Sequence, residues 1–105
     1  MDYRPGMRLR SQVCSTEVIV VRAPSRPLDL TCGGAAMLPI EAEGRSPSAG
    51  APAAGLDAGT TLGKRYTSAS DDVFEVLVTR AGAGTLGDAS GPLLVKDARA
   101  LPSTD

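Results

Sequence analysis

Cys14 and Cys32 have the widest chemical scope of any residues in this 105-residue chain, which contains no other cysteine. A thiolate serves as nucleophile, as metal ligand and as one half of a disulfide. The chain contains no histidine, which removes the commonest general base, metal ligand and pH switch. Ser-His-Asp and Cys-His catalysis are therefore excluded within the chain, as is a His-ligated zinc or iron site. Three readings of the cysteine pair stand side by side. One is a pair of small apolar thiols buried in a β core. Another is a disulfide, which a reducing compartment disfavours. The third is a metal centre, which needs about four ligands where this pair supplies two thiolates.

Other groups carry less chemistry. Gly82-x-Gly84-x-x-Gly87 matches the spacing of a dinucleotide-binding loop, but the stretch Asp88–Pro92 after it is turn-like where a helix is required. A Gly-rich hairpin accounts for it. Leu62-Gly63-Lys64-Arg65 lacks the upstream glycine and the following Ser or Thr of a phosphate loop. The carboxylates of Glu17, Asp29, Glu41, Glu43, Asp71 and Asp72 fall at no spacing that implies an acid/base pair. Asp71-Asp72 reads as a turn before a strand. Arg4, Arg8, Arg10, Arg22 and Arg26 read as a solvated strand face.

The elements that must position these residues are strands. Met7, Leu9 and Val13 share one parity, and Arg8, Arg10 and Gln12 the other, which is the period-2 pattern of a half-buried strand. Ser15-Thr16 turns the chain, and Glu17–Arg22 is a β-branched run. Pro24 and Pro27 make a loop, Leu28–Cys32 returns as a strand, and Gly33-Gly34 breaks it before a short strand over Met37–Glu41. Cys14 and Cys32 thus fall at the ends of an expected hairpin, where their sulfurs approach. Residues 42–59 hold Gly44, Gly50, Gly55, Gly59, Pro47 and Pro52 with Leu56 as the one large apolar side chain. Such a stretch cannot offset its ordering entropy by burial and reads as a flexible loop. Strands are expected again over Thr60–Thr67, Val73–Thr79 and Pro92–Lys96. No helical period and no internal repeat stands out. The expected architecture is one all-β domain over residues 1–105 of about six to eight short antiparallel strands, barrel-like or rubredoxin-like in its N-terminal half, with a first β unit at 7–41 and a second at 60–97.

The segments Ser11–Val20 and Leu30–Met37 resemble the desulforedoxin and rubredoxin-type knuckle domain over residues 11–38. In that family two Cys-rich knuckles flank a hairpin and bind iron or zinc through four thiolates. The resemblance places Cys14 and Cys32 at one thiolate position in each knuckle, with Ser11 and Thr31 where the other thiolates would stand. Hydroxyls are poor ligands for such a metal, so the resemblance implies a degenerate knuckle that keeps the fold without the mononuclear site. The whole chain also resembles a family of short actinobacterial proteins of unknown function. Matching features include Leu30-Thr31-Cys32-Gly33-Gly34, Leu62-Gly63-Lys64-Arg65-Tyr66 and Ala81–Leu86. That resemblance implies no mechanism.

Composition narrows the function classes. Net charge is −1 from 11 Lys and Arg against 12 Asp and Glu, which argues against a general nucleic-acid surface. No run reaches the roughly 18 apolar residues of a membrane span, and the basic start lacks the apolar core of a signal peptide. A cytoplasmic protein is expected, with no membrane or nucleic-acid partner. Tyr3, Tyr66 and Phe74 are the entire aromatic supply, so stability is expected to be modest or shared with a partner. The function expected first is a non-catalytic accessory or protein-interaction module, with a protein partner or a second copy and no cofactor. The alternative is a metal-binding or redox module in which Cys14 and Cys32 share zinc or iron between two chains. A thiol enzyme or sensor using either cysteine is the third.

Overall fold

The structure is a computed structural model that describes residues 3–40 and 52–96. Every regular element among them is a β-strand, as the all-β reading expects. In chain order these are β1 (Arg8–Arg10), β2 (Glu17–Arg22), β3 (Thr31–Cys32), β4 (Ala35–Ala36) and β5 (Leu38–Pro39), then β6 (Arg65–Thr67), β7 (Glu75–Arg80), β8 (Leu86–Asp88), β9 (Gly91–Pro92) and β10 (Leu94–Lys96). They form a six-stranded sheet, β10-β6-β7-β2-β1-β5, and a four-stranded sheet, β4-β3-β8-β9.

Both strand orders read as palindromes, because the chain builds one five-stranded unit twice. In the first unit Arg8, Leu9 and Arg10 pair with Ile19, Val18 and Glu17; in the second Arg65, Tyr66 and Thr67 pair with Leu77, Val76 and Glu75. The β3–β4 pairs Thr31–Ala36 and Cys32–Ala35 recur as the β8–β9 pairs Gly87–Pro92 and Asp88–Gly91. The bond from Met37 N–H to Leu30 C=O recurs from Leu93 N–H to Leu86 C=O. Between the units, Ile19 faces Leu77 and Thr31 faces Gly87, each opposite its own counterpart. A pseudo-two-fold axis therefore passes through both sheets. This corrects the reading that no internal repeat exists. The repeat is carried by hydrogen-bond register, with a few shared residues such as Gly6 and Gly63, Ser11 and Ser68, Leu30 and Leu86.

The long β-branched runs form the centre. Val18 and Val20 of β2, with Val76 and Val78 of β7, are buried between the sheets together with Leu9, Leu30, Met37, Leu86 and Phe74. Each such side chain contributes about 1.5–3 kcal/mol by burial. Tyr3 covers one end: its ring lies 5.6 Å from that of Phe74, and its hydroxyl accepts the Leu30 N–H at 2.8 Å. Both units feed one core, so neither has an apolar centre of its own.

Two connections differ from expectation. The segments after β2 and β7 are crossings between sheets, since β2 and β7 lie in one sheet and β3 and β8 in the other. Cys14 and Cys32 are therefore not the ends of one hairpin, and Gly82–Gly84 is not a hairpin turn. Of the expected flexible loop, residues 42–59, 42–51 fall outside the described residues. Residues 52–59 are hydrogen-bonded to the segments around Gly33 and Thr85. Ala53 N–H donates to Gly33 C=O at 3.0 Å, and Leu56 C=O accepts the Thr85 N–H at 2.9 Å. The absence of a Cβ at Gly33 and Gly34 is what admits this segment: one on Gly33 would lie 3.0 Å from Pro52, and one on Gly34 3.2 Å from Leu56.

Candidate functional site

The turn between β1 and β2 is built by a serine. Ser11 Oγ accepts the N–H of Val13 at 3.0 Å and of Cys14 at 3.2 Å, closing a tight local turn. That turn aims Cys14 at β3, where the alternation of the strand buries Cys32. The sulfurs lie 3.7 Å apart, in contact and unbonded. The structure thus brings the two sequence-predicted site residues together, by packing one sheet on the other.

Cys14 Sγ sits in a ring of donors. Ser11 Oγ lies 3.3 Å away and Thr16 Oγ1 3.2 Å, while Gly84 N–H donates to the sulfur at 3.3 Å. Ser11 Oγ already accepts two N–H groups, so its hydrogen is available to the sulfur. Thr16 Oγ1 lies 3.1 Å from Thr60 Oγ1, which accepts the Gly82 N–H at 3.0 Å. Gly82 N–H, Thr60 hydroxyl and Thr16 hydroxyl can therefore donate in series toward a thiolate. Thr60 Oγ1 also lies 3.4 Å from Gly82 C=O. When Thr60 donates there, the series reverses and the Cys14 S–H donates to Thr16. The network has one setting for the thiolate and one for the thiol.

The two sulfurs are driven apart in acidity. Burial pushes the Cys14 thiol up, but the hydrogen bonds of Ser11, of the Thr16 hydroxyl and N–H, and of Gly84 outweigh it and bring Cys14 down to about 7. Burial pushes the more enclosed Cys32 up to about 11 against a Ser11 hydrogen bond, and negative charge on Cys14 adds to the rise. At neutral pH the pair is poised with Cys14 about half ionised beside a protonated Cys32.

Two glycines make the contact possible. A Cβ on Gly82 would lie 2.5 Å from the Thr16 nitrogen and against its hydroxyl; one on Gly84 would lie 2.9 Å from Cys32 Sγ. Sequence reasoning assigned this Gly-x-Gly to a turn. Its usable signal is a pair of alternate glycines following a strand, which marks a close approach of backbone to another group. Thr16 and Thr60 carried no such signal. Thr31, expected at a ligand position, pairs in β3 with Ala36 and Gly87; Thr16 supplies the second hydroxyl at Cys14.

The second unit offers an internal reference. Ser68 repeats Ser11, its Oγ accepting the Ser70 N–H at 3.1 Å. In the same register, Asp71 stands where Cys14 stands and Asp88 where Cys32 stands. Asp71 Oδ2 accepts the Ser25 N–H at 2.8 Å and the Arg26 N–H at 3.3 Å. Arg26 occupies the place of Gly84, so in both units the anion position is capped by the crossing segment of the other unit. Asp88 Oδ2 accepts the Ser68 hydroxyl at 2.5 Å, and Oδ1 accepts the Ser90 N–H at 2.9 Å. Burial raises both carboxyls, but these donors hold both below the usual range.

No family model, curated protein or solved structure matches this chain. The chemistry therefore rests on the site itself. Among the described residues no third His, Cys, Asp or Glu joins Cys14 and Cys32 in a metal-binding group. Two sulfurs with the hydroxyls of Ser11 and Thr16 do not fit a four-thiolate iron or zinc centre. Among the described residues no helix is long and apolar enough to cross a membrane.

Proposed function

We propose that the chain is a small thiol–disulfide redox module, an accessory domain that exchanges electrons with a disulfide or dithiol partner. The contact of a hydrogen-bonded Cys14 sulfur with the enclosed Cys32 sulfur at 3.7 Å carries this reading. Cys14 thiolate attacks one sulfur of a partner disulfide, R–S–S–R. A Cys14–S–S–R bond forms and RS⁻ departs. Cys14 is then uncharged, which removes one cause of the high Cys32 pKa and leaves the Ser11 and Thr16 hydroxyls free to turn to Cys32. Cys32 gives up its proton and attacks Cys14 Sγ. The mixed disulfide breaks, a second RS⁻ departs and takes up the proton, and a Cys14–Cys32 disulfide remains. The partner disulfide is reduced by two electrons and the protein dithiol is oxidised by two.

The test is closure with a disulfide reagent, read by mass spectrometry after acid quench. Wild type is expected to close internally. Cys32→Ser is expected to stop at the mixed disulfide, and Cys14→Ser to react slowly and not close. Equal reactivity of the two single variants would overturn the assignment. So would zinc or iron that co-purifies with wild type and is lost in Cys14→Ser, since that result favours a metal shared between two chains.

The accessory part of the reading has separate support. Edge strand β10 exposes Leu94 (54%) and Val95 (52%), a surface suited to strand addition by a protein partner or a second copy. Light scattering of wild type and Leu94→Lys checks this; a wild type that stays monomeric and captures no partner by pull-down would count against it.

A further inference from the structure

We infer that reduced Cys14 and Cys32 hold one cuprous ion between their sulfurs, a two-sulfur site for a soft monovalent metal within a single chain. This goes beyond the redox reading and does not depend on it, since the dithiol alone makes the site. The ligand inventory selects the metal. Cys14 and Cys32 are the only cysteines of the chain, and it has no histidine. Zinc and iron thiolate centres take about four such ligands, and calcium and magnesium take oxygens. A cuprous ion prefers thiolate sulfur and is complete with two.

The pair is already placed for such an ion. The sulfurs lie 3.7 Å apart with no bond between them. At about 2.3 Å per metal–sulfur bond a linear S–Cu–S unit spans about 4.6 Å, so the sulfurs need to part by about 1 Å. Cys32 is fully buried on β3, whereas Cys14 is partly exposed and lines a cavity of about 310 Å³. Rotation of Cys14 toward that cavity makes the space, and the cavity is the way in for the ion. Cu⁺ enters, the protons of both thiols leave, and the resulting bis-thiolate carries one negative charge. That charge falls among donors. The Ser11 and Thr16 hydroxyls lie 3.3 and 3.2 Å from Cys14 Sγ, and Gly84 N–H donates to it at 3.3 Å. Hydrogen bonds of this kind orient a ligand atom and strengthen metal binding. The second unit has Asp71 and Asp88 at these positions, oxygen ligands already taken up by Ser25, Arg26, Ser68 and Ser90, so the soft site occurs once. Disulfide closure removes both ligands, and the oxidised protein therefore releases the ion.

The experiment titrates the reduced full chain, under nitrogen, with Cu⁺ as its bicinchoninate complex. Loss of the chelator's colour reads transfer, and native mass spectrometry reads copper per chain. Wild type is expected to take up one copper per chain. Cys14→Ser and Cys32→Ser are expected to take up none at the same chelator concentration, as is oxidised wild type, the control that carries no substitution. X-ray absorption is expected to show two sulfur neighbours and no nitrogen or oxygen at bonding distance. Thr16→Val is expected to weaken binding roughly tenfold. The inference is overturned if wild type takes up no copper, if either single variant or the oxidised protein still does, if the copper bridges two chains, or if equimolar zinc displaces it. Disulfide closure without copper uptake would remove this inference and leave the redox reading; copper uptake without closure would do the reverse.

Discussion

At the Ser11 turn the chain holds two thiols in contact, and at the related Ser68 turn it holds two carboxylates. Each turn faces the same electrostatic problem, two acidic groups brought close under partial burial. The second unit solves it with donors. Ser25, Arg26 and Val73 serve Asp71, while Ser68 and Ser90 serve Asp88, and both carboxyls stay ionised. The first unit solves it by dividing the charge, with donors concentrated on Cys14 and Cys32 left protonated. A satisfied carboxylate pair fixes two segments together and has no further reaction open to it. A divided thiol pair keeps one nucleophile and one proton, the requirement for exchange chemistry. The comparison teaches that one backbone cradle for an anion yields a carboxylate clamp or a divided thiol pair, according to which atom carries the charge.

The sharpest way to break the comparison is to crowd one cradle. Gly82→Ala drives a Cβ into the Thr16 backbone and is expected to cost about 3 kcal/mol of stability, the upper range for overpacking. Urea unfolding measures it. The related position at the second unit's cradle is Pro24, supplied by the first unit, so Pro24→Ala is expected to cost far less. Comparable losses would mean that the close approach at Gly82 is not what sets the two cradles apart.

Asp71→Ala removes the acceptor of four hydrogen bonds and is expected to lower the melting temperature by several degrees at neutral pH. The sign with pH follows from the lowered carboxyls of Asp71 and Asp88. Their contribution is full above the ordinary carboxylate range, about pH 4, and is lost as pH falls through their lowered values. Asp71→Ala is therefore expected to flatten the acid limb of the stability curve. A variant whose acid limb parallels wild type would refute the clamp.

Ser11→Ala and Ser68→Ala sharpen the comparison at the serine that both units share. Loss of the Ser11 hydroxyl is expected to raise the Cys14 titration midpoint by about one unit, equivalent to about 1.4 kcal/mol. Iodoacetamide alkylation against pH reads this as a shift of the rate profile away from a midpoint near 7. Ser68→Ala is expected to leave that profile in place.

The smallest effect expected near neutral pH concerns the dithiol itself. An unfolded thiol titrates near 8.5, whereas folded Cys14 lies at about 7 and folded Cys32 at about 11. Between 7 and 8.5 the unfolded chain binds more protons, so stability rises with pH; between 8.5 and 11 the folded chain binds more, so stability falls. A maximum near 8.5 is expected, with a shallow rising limb of about 1 kcal/mol or less after solvent screening of the partly exposed Cys14 and a steeper fall above it from the more enclosed Cys32. In the variant lacking both cysteines the maximum should vanish from calorimetric scans taken across this range.

The sequence made the local elements legible and left their combination obscure. Glu17–Arg22 is a strand as expected, because a β-branched run has few other uses, and Glu75–Arg80 falls close to its expected bounds. The approach of Cys14 to Cys32 was also legible, although by the wrong route. A hairpin was the simplest way to join two strand ends, and crossings between sheets leave no short-range mark. The repeat was hidden because its register is written in backbone bonds. Its serine turns exchange Cys for Asp, and the crossing after β2 is longer than the one after β7. The cap of Thr60, Gly82 and Gly84 was invisible for the same reason, since it comes from the other unit.

Isologous pairing of identical chains obliges every site to appear twice with the same residues. Joining the two halves in one polypeptide lifts that obligation. The pseudo-dyad through Ile19 and Leu77 thus marks a place where symmetry could be kept in the scaffold and abandoned in the chemistry. One half holds a thiol pair where its twin holds a carboxylate clamp.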